Sequence, residues 1–133
     1  MNDGCFQPGF RLSTLDVVVL IAGAAASAYA ASIHPPAALA IAFVVVHFFL
    51  FCNVLRMARS LELLWAGLFA ALAIAAISFE LISWPVVFAA SAVGTVILAI
   101  VQARMPSYHG VGWQKLNPRL PEWWRSAREG KRF

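Results

Sequence analysis

Pro36-Ala-Ala-Leu-Ala-Ile-Ala-Phe-Val-Val-Val-His-Phe-Phe-Leu-Phe-Cys-Asn-Val-Leu55 is twenty consecutive residues without a formal charge. At ~1.5 Å rise per residue such a run crosses the ~30 Å of a bilayer's hydrocarbon as one helix. Hydrophobicity does not alternate along it, which argues against a barrel strand, and a helix pairs all its own backbone groups in hydrocarbon. Three more stretches of the same kind flank it, at Thr14 to Ile33, Leu61 to Ile82 and Pro85 to Ala103. Pro35 and Pro36 at the junction of the first two stretches and Pro85 at the head of the fourth suit a first helical turn, where a missing N–H costs little. The connections at 32–35 and 83–84 are then tight turns, and short turns make consecutive helices antiparallel neighbours.

The whole chain agrees. Of its 133 residues 62% are apolar and 12% charged, against roughly 45–50% and 25% for soluble domains. A soluble fold of this size would expose large apolar patches, so soluble enzymes, nucleic-acid modules and disordered tails are excluded. The expected fold is all-α: an integral-membrane, up-and-down bundle of four transmembrane helices over residues 1–103, followed by an irregular, basic, Trp-rich tail over residues 104–133.

Charge orients it. Arg11 precedes the first span, Arg56 and Arg59 lie between the second and third, and Arg104, Lys115, Arg119, Arg125, Arg128, Lys131 and Arg132 follow the fourth. The opposite connections carry no Lys or Arg, so the positive-inside rule puts both termini in the cytoplasm of what we read as a bacterial inner membrane. Val17 to Ala26, followed by Ala28-Tyr29-Ala30, has the outline of a secretory signal. Asp16 and a poorly basic leader favour a retained helix. Cys5 and Cys52 both fall on the cytoplasmic side and offer no disulfide framework.

Small residues recur every four positions at Gly23, Ser27 and Ala31, at Gly67 and Ala71, and at Ala90 and Gly94. That spacing lets two helices approach closely, within one chain or between chains. The second span instead carries Phe43, Phe48, Phe49 and Phe51, a wide aromatic surface suited to lipid, a pigment or quinone, or a neighbouring protein.

Ionisable groups inside a span are the default functional candidates. Asp16 stands where Ser13-Thr14-Leu15-Asp16 fits a capping box. A carboxylate in the first membrane helix of a small four-helix protein resembles the proton-coupled site of small multidrug-resistance transporters, although the surrounding residues do not match that family and the basic tail is foreign to it. Glu80 falls in the last turn of the third span, where the helix dipole disfavours it, and His34 in the facing turn is the one basic group at that level. A Glu80–His34 pair, a protonated Glu80 or a contact with another chain are the readings open to it. His47, near the middle of the second span, is expected to bond another helix through Ser27, Tyr29 or Ser78. It is also the residue that would ligate haem or a pigment, or bond a quinone. No second intramembrane histidine completes a bis-histidine haem site.

The tail carries seven basic residues and two acidic ones. Trp113, Trp123 and Trp124 interleaved with Arg125 and Arg128 suit an interfacial anchor on anionic lipid or a partner protein, and not nucleic acid. A short helix is expected from Pro121 to about Arg128. No phosphate loop, zinc spacing, nucleophile elbow or dinucleotide fingerprint occurs, so we expect neither catalysis nor a metal, and no cofactor is required. The expected function is that of a non-catalytic accessory or scaffold subunit of a larger membrane complex, with respiratory and photosynthetic assemblies as candidates. A small proton-coupled transporter using Glu80 or Asp16, and a cofactor protein using His47, are the alternatives.

Overall fold

The computed structural model describes residues 6–130; Cys5, Lys131 and Arg132 lie outside the described residues. These form six helices and no strand: α1 (Thr14–Ala31), α2 (Pro35–Phe49), α3 (Arg59–Ser78), α4 (Trp84–Ala103), α5 (Trp113–Leu116) and α6 (Leu120–Arg128). A π-helical segment, Leu50–Leu55, continues α2 without a break. With that extension, α1 to α4 are long and apolar enough to cross a membrane.

Helices α1 and α2 begin where the sequence offers a start. Ser13 and Asp16 close the expected capping box: the Asp16 carboxylate accepts from the Ser13 N–H and hydroxyl, both at 2.6 Å, and the Ser13 hydroxyl accepts from the Asp16 N–H at 3.2 Å. Two backbone donors at the helix start, the Ser13 and Asp16 N–H groups, and the Ser13 hydroxyl are thereby paired. At the start of α2, His34 is the N-cap and its Nδ1 accepts from the Ala37 N–H at 3.2 Å, with the two prolines in the first turn.

The expected end of the third span at Ile82 is corrected. Helix α3 stops at Ser78, and Glu80 sits beyond it in a left-handed conformation, φ 51°. The Leu81 N–H turns back to the Ala75 carbonyl at 3.2 Å and closes the helix end. Glu80 is therefore an exposed link residue and not part of a helical turn. No ion pair joins it to His34 among the described residues. The first span also ends early, at Ala31, because the Ser32 hydroxyl bonds the Tyr29 carbonyl and terminates the ladder.

Two of the three small-residue faces are used inside the chain. A Cβ on Gly23 would stand 2.5 Å from Val45, and the Ser27 hydroxyl donates to the Ala38 carbonyl at 2.9 Å, so α1 lies close along α2. Gly94 likewise takes Leu68 of α3, at 2.8 Å from where a Cβ would be. Between α2 and α3 the contact is made by rings instead. Phe43, His47 and Phe51, four residues apart, line one face of α2; Trp65 and Phe69 face them from α3, and Phe88 approaches from α4. Trp65 fastens α3 to α4 as well, donating its indole N–H to the Ser91 carbonyl and the Thr95 hydroxyl at 3.2 and 2.9 Å.

A left-handed non-glycine residue costs roughly 1–2 kcal/mol, part of which glycine returns as unfolded-state entropy. Glu80→Gly is therefore expected to stabilise the chain by about 0.5–1 kcal/mol and Glu80→Val to destabilise it by at least about 1 kcal/mol, read as opposite shifts in thermal unfolding in detergent.

Candidate functional site

Two groups of side chains stand out once the helices are packed: the ring cluster around His47, and a polar cluster where the two terminal segments meet the helix ends. His47 is buried, 8% exposed. Its Nδ1 lies 2.7 Å from the Phe43 carbonyl of its own helix; a carbonyl only accepts, so Nδ1 carries the proton and Nε2 is left with a lone pair. The expected bonds to Ser27, Tyr29 or Ser78 are not made. Ser27 is engaged with Ala38, and Tyr29 and Ser78 are exposed. The imidazole is stacked on Trp65 at 4.6 Å and 14°, which makes it a member of the packed seam.

Phe51 is corrected too. Expected to face lipid or a partner, it is 3% exposed, at the centre of a core with Met57, Trp65 and Leu98. Phe48 stays half-buried beside an apolar groove shared with Leu63 and Ala66, and Phe49 packs on Phe10. The i, i+4, i+8 spacing of Phe43, His47 and Phe51 was the signal that these three share one inward face.

The π-helical segment builds the second cluster. It ends at Arg56, left-handed at φ 47°, with the Met57 N–H reaching back to the Phe51 carbonyl. Carbonyls released by that ending need partners, and the terminal segments supply them. Arg11 N–H donates to the Asn53 carbonyl at 3.2 Å and Val111 N–H to the Val54 carbonyl at 2.8 Å. Gly9 N–H reaches the His109 carbonyl at 2.7 Å, joining the two terminal segments to each other. Gly110 passes so close that a Cβ there would lie 2.6 Å from the Leu55 carbonyl oxygen and 2.7 Å from that of Val54.

The tail thus has a core of its own. Tyr108 and Leu120 are almost fully buried, the Tyr108 hydroxyl donates to the Val111 carbonyl at 2.7 Å, and burial raises its phenol above the usual tyrosine range. Asn117 donates to the Pro106 and Tyr108 carbonyls. Trp113 and Trp124, expected to face lipid or another subunit, are half-buried, and both hold Phe6 edge-on, at 5.8 and 5.6 Å. Trp123 is half-buried beside Pro106 and Arg119, whereas Arg125 and Arg128 remain on the exposed face of α6. These contacts hold the tail against the leader and the helix ends.

Between the segments lies a cavity of about 370 Å³ walled by Arg11, Asp16, Asn53, Arg56, Arg59 and Glu62. Gln102 closes its floor, 2% exposed, accepting from the Ala58 N–H at 3.1 Å. Asn53 and Gln102 were not singled out from the sequence, because attention to charge passes over neutral amides; an amide near the end of an otherwise apolar span was the available signal. His47 lines neither this cavity nor the apolar groove beside it. The arrangement can bind a small polar or charged group. Among the described residues no cluster of His, Cys, Asp or Glu could hold a metal ion. Comparison with protein-family models, curated proteins and solved structures returns no match for the chain.

Gly110→Ala drives a methyl into two backbone oxygens that cannot rotate away. It should cost about 1–3 kcal/mol and make residues 104–130 cleavable by limited proteolysis while the four long helices persist by circular dichroism. For the seam, His47→Phe keeps the ring and should cost under about 1.5 kcal/mol, whereas His47→Ala opens a cavity and should cost roughly 2–5 kcal/mol, both read in thermal unfolding.

Proposed function

We propose that this chain is a multi-pass inner-membrane protein, an up-and-down four-helix bundle with both termini cytoplasmic, serving as a non-catalytic accessory or scaffold subunit of a larger membrane complex. The observation that carries the reading is the third small-residue face. Gly23 and Gly94 are consumed by helices of the same chain, but a Cβ on Gly67 would meet nothing within 4 Å. Glycine in an exposed helix interior costs about 1 kcal/mol relative to alanine. A helix of another subunit approaching along Gly67 and Ala71 accounts for keeping it.

The placement of the charged groups supports the same reading over a proton-coupled transporter. Asp16 is engaged in its helix cap and Glu80 is an exposed link residue. His47 is packed among rings, which favours a structural part over a cofactor ligand. Helix α6, with Arg125 and Arg128 on its exposed face, supplies a cationic surface for anionic lipid or an acidic face of the partner.

Gly67→Leu should leave the isolated chain as stable as before, within about 1 kcal/mol, since leucine is the better helix former. The same variant should strip the partner from the complex in mild-detergent purification followed by native mass spectrometry, while Gly67→Ala retains part of it. A wild-type chain that migrates alone from its native membrane would sink the subunit reading.

A further inference from the structure

The polar cavity holds more positive charge than its own carboxylates answer. Arg11, Arg56 and Arg59 face Asp16 and Glu62 across it, and both carboxylates already hold protein donors. Asp16 accepts twice from Ser13, while Glu62 pairs with Arg59 through one oxygen at 3.3 Å and meets the Cys52 thiol at 3.5 Å with the other. Arg56 spends one nitrogen on the Gln7 carbonyl, and Arg11 makes no side-chain hydrogen bond among the described residues.

A second observation is independent of charge. Asn53 is 1% exposed and lines the cavity, and its side-chain nitrogen has no hydrogen-bond partner. The Asp16 carboxylate is a weak acceptor near it, beyond the distance of a well-formed hydrogen bond. A buried amide donor left unpaired costs about 1–3 kcal/mol, and this one belongs to a residue of the cavity wall, where a small shift would bring it to an acceptor. The two nearest guanidinium groups also repel: burial, and then the Arg11 charge, make Arg56 easier to deprotonate than a free arginine. An anion between them would relieve that repulsion.

We infer that this cavity is a binding site for a phosphate-bearing anion, gripped by the guanidinium groups of Arg11, Arg56 and Arg59 and accepting a hydrogen bond from the Asn53 amide. Three arginines against two carboxylates leave a single uncompensated positive charge, which matches a phosphodiester monoanion. Arginine forks suit phosphate oxygens geometrically. The volume lies in the roughly 300–1,000 Å³ range of small-molecule sites and exceeds what a bare phosphate fills, leaving room for the glycerol of a lipid headgroup. A lipid source rests on the membrane orientation proposed above, which sets the cavity at headgroup level on the cytoplasmic side; free phosphate would not need it.

The test uses the full-length chain, purified in mild detergent and stripped of lipid. Native mass spectrometry follows binding of phosphatidylglycerol and phosphatidylcholine of identical acyl chains, and thermal unfolding compares sodium phosphate with sodium chloride at matched ionic strength. Selective retention of phosphatidylglycerol, whose phosphodiester is not neutralised by a choline cation, identifies a net-anionic lipid headgroup; stabilisation by phosphate without lipid selectivity identifies a free anion. Either supports the site. Arg11→Gln with Arg56→Asn, the asparagine chosen because it tolerates the left-handed backbone, should weaken binding about tenfold per arginine. Arg104→Gln with Lys115→Gln, both outside the cavity, should leave it unchanged. Equal binding of the two lipids with no effect of phosphate overturns the site. So does a folded Arg11/Arg56 variant that still selects phosphatidylglycerol, or an equal loss in the Arg104/Lys115 control, which would mean diffuse surface charge. If the double variant does not fold, the wild-type lipid and phosphate comparisons decide by themselves.

Discussion

Backbone carbonyls released at the end of a helix have to find donors, and in this chain that requirement falls on Asn53, Val54 and Leu55. The π-helical turn widens the end of α2 and aims these groups away from the helix ladder, toward residues distant in sequence. Arg11 and Val111 pair with two of them, so one helix end holds both terminal segments. The close approach at Gly110, the burial of Tyr108 and Leu120, and the walls of the polar cavity all follow from that docking.

The long helices use two distinct kinds of contact. Where Gly23 and Gly94 stand, the helices approach closely and pack by dispersion along small side chains. Between α2 and α3 a stack of rings spaces the helices apart, with His47 lying nearly parallel to Trp65 and Trp65 nearly parallel to Phe69. Trp65 belongs to both systems, since its face stacks on the seam while its N–H anchors α4. Amphipathic aromatics suit such a position because a buried indole needs one polar partner and presents a large apolar face.

Much of this was legible in the order of residues. The four long apolar helices follow from run length and the proline-marked starts, and the Ser13–Asp16 capping box from its spacing, because each is local and needs no knowledge of neighbours. Phe51 was misjudged because a run of phenylalanines does not say which side faces the protein; only the arrival of Trp65 and Leu98 decides that. The end of α3 was placed too late because hydropathy continues through Leu81 and Ile82, while the backbone turns at Glu80, a residue without glycine's ease in the left-handed region. The candidate anion site was hidden for a different reason. Its parts come from the leader, the ends of α1 and α2, and the start of α3, and no spacing rule connects residues 11, 53 and 59.

The sequence by itself determined the helical class, the number and approximate placement of the long helices and the gathering of every Lys and Arg into the leader, the second connection and the tail. These depend on short-range periodicity and composition. Tertiary structure alone decided which small-residue faces are occupied, that the tail folds onto the end of the second long helix, and that Asn53 is a buried amide in the wall of a cavity. Those outcomes depend on where carbonyls, rings and charges from distant segments meet, and a hydrogen bond of about 3 Å is set by the packing of whole helices rather than by the residues that make it.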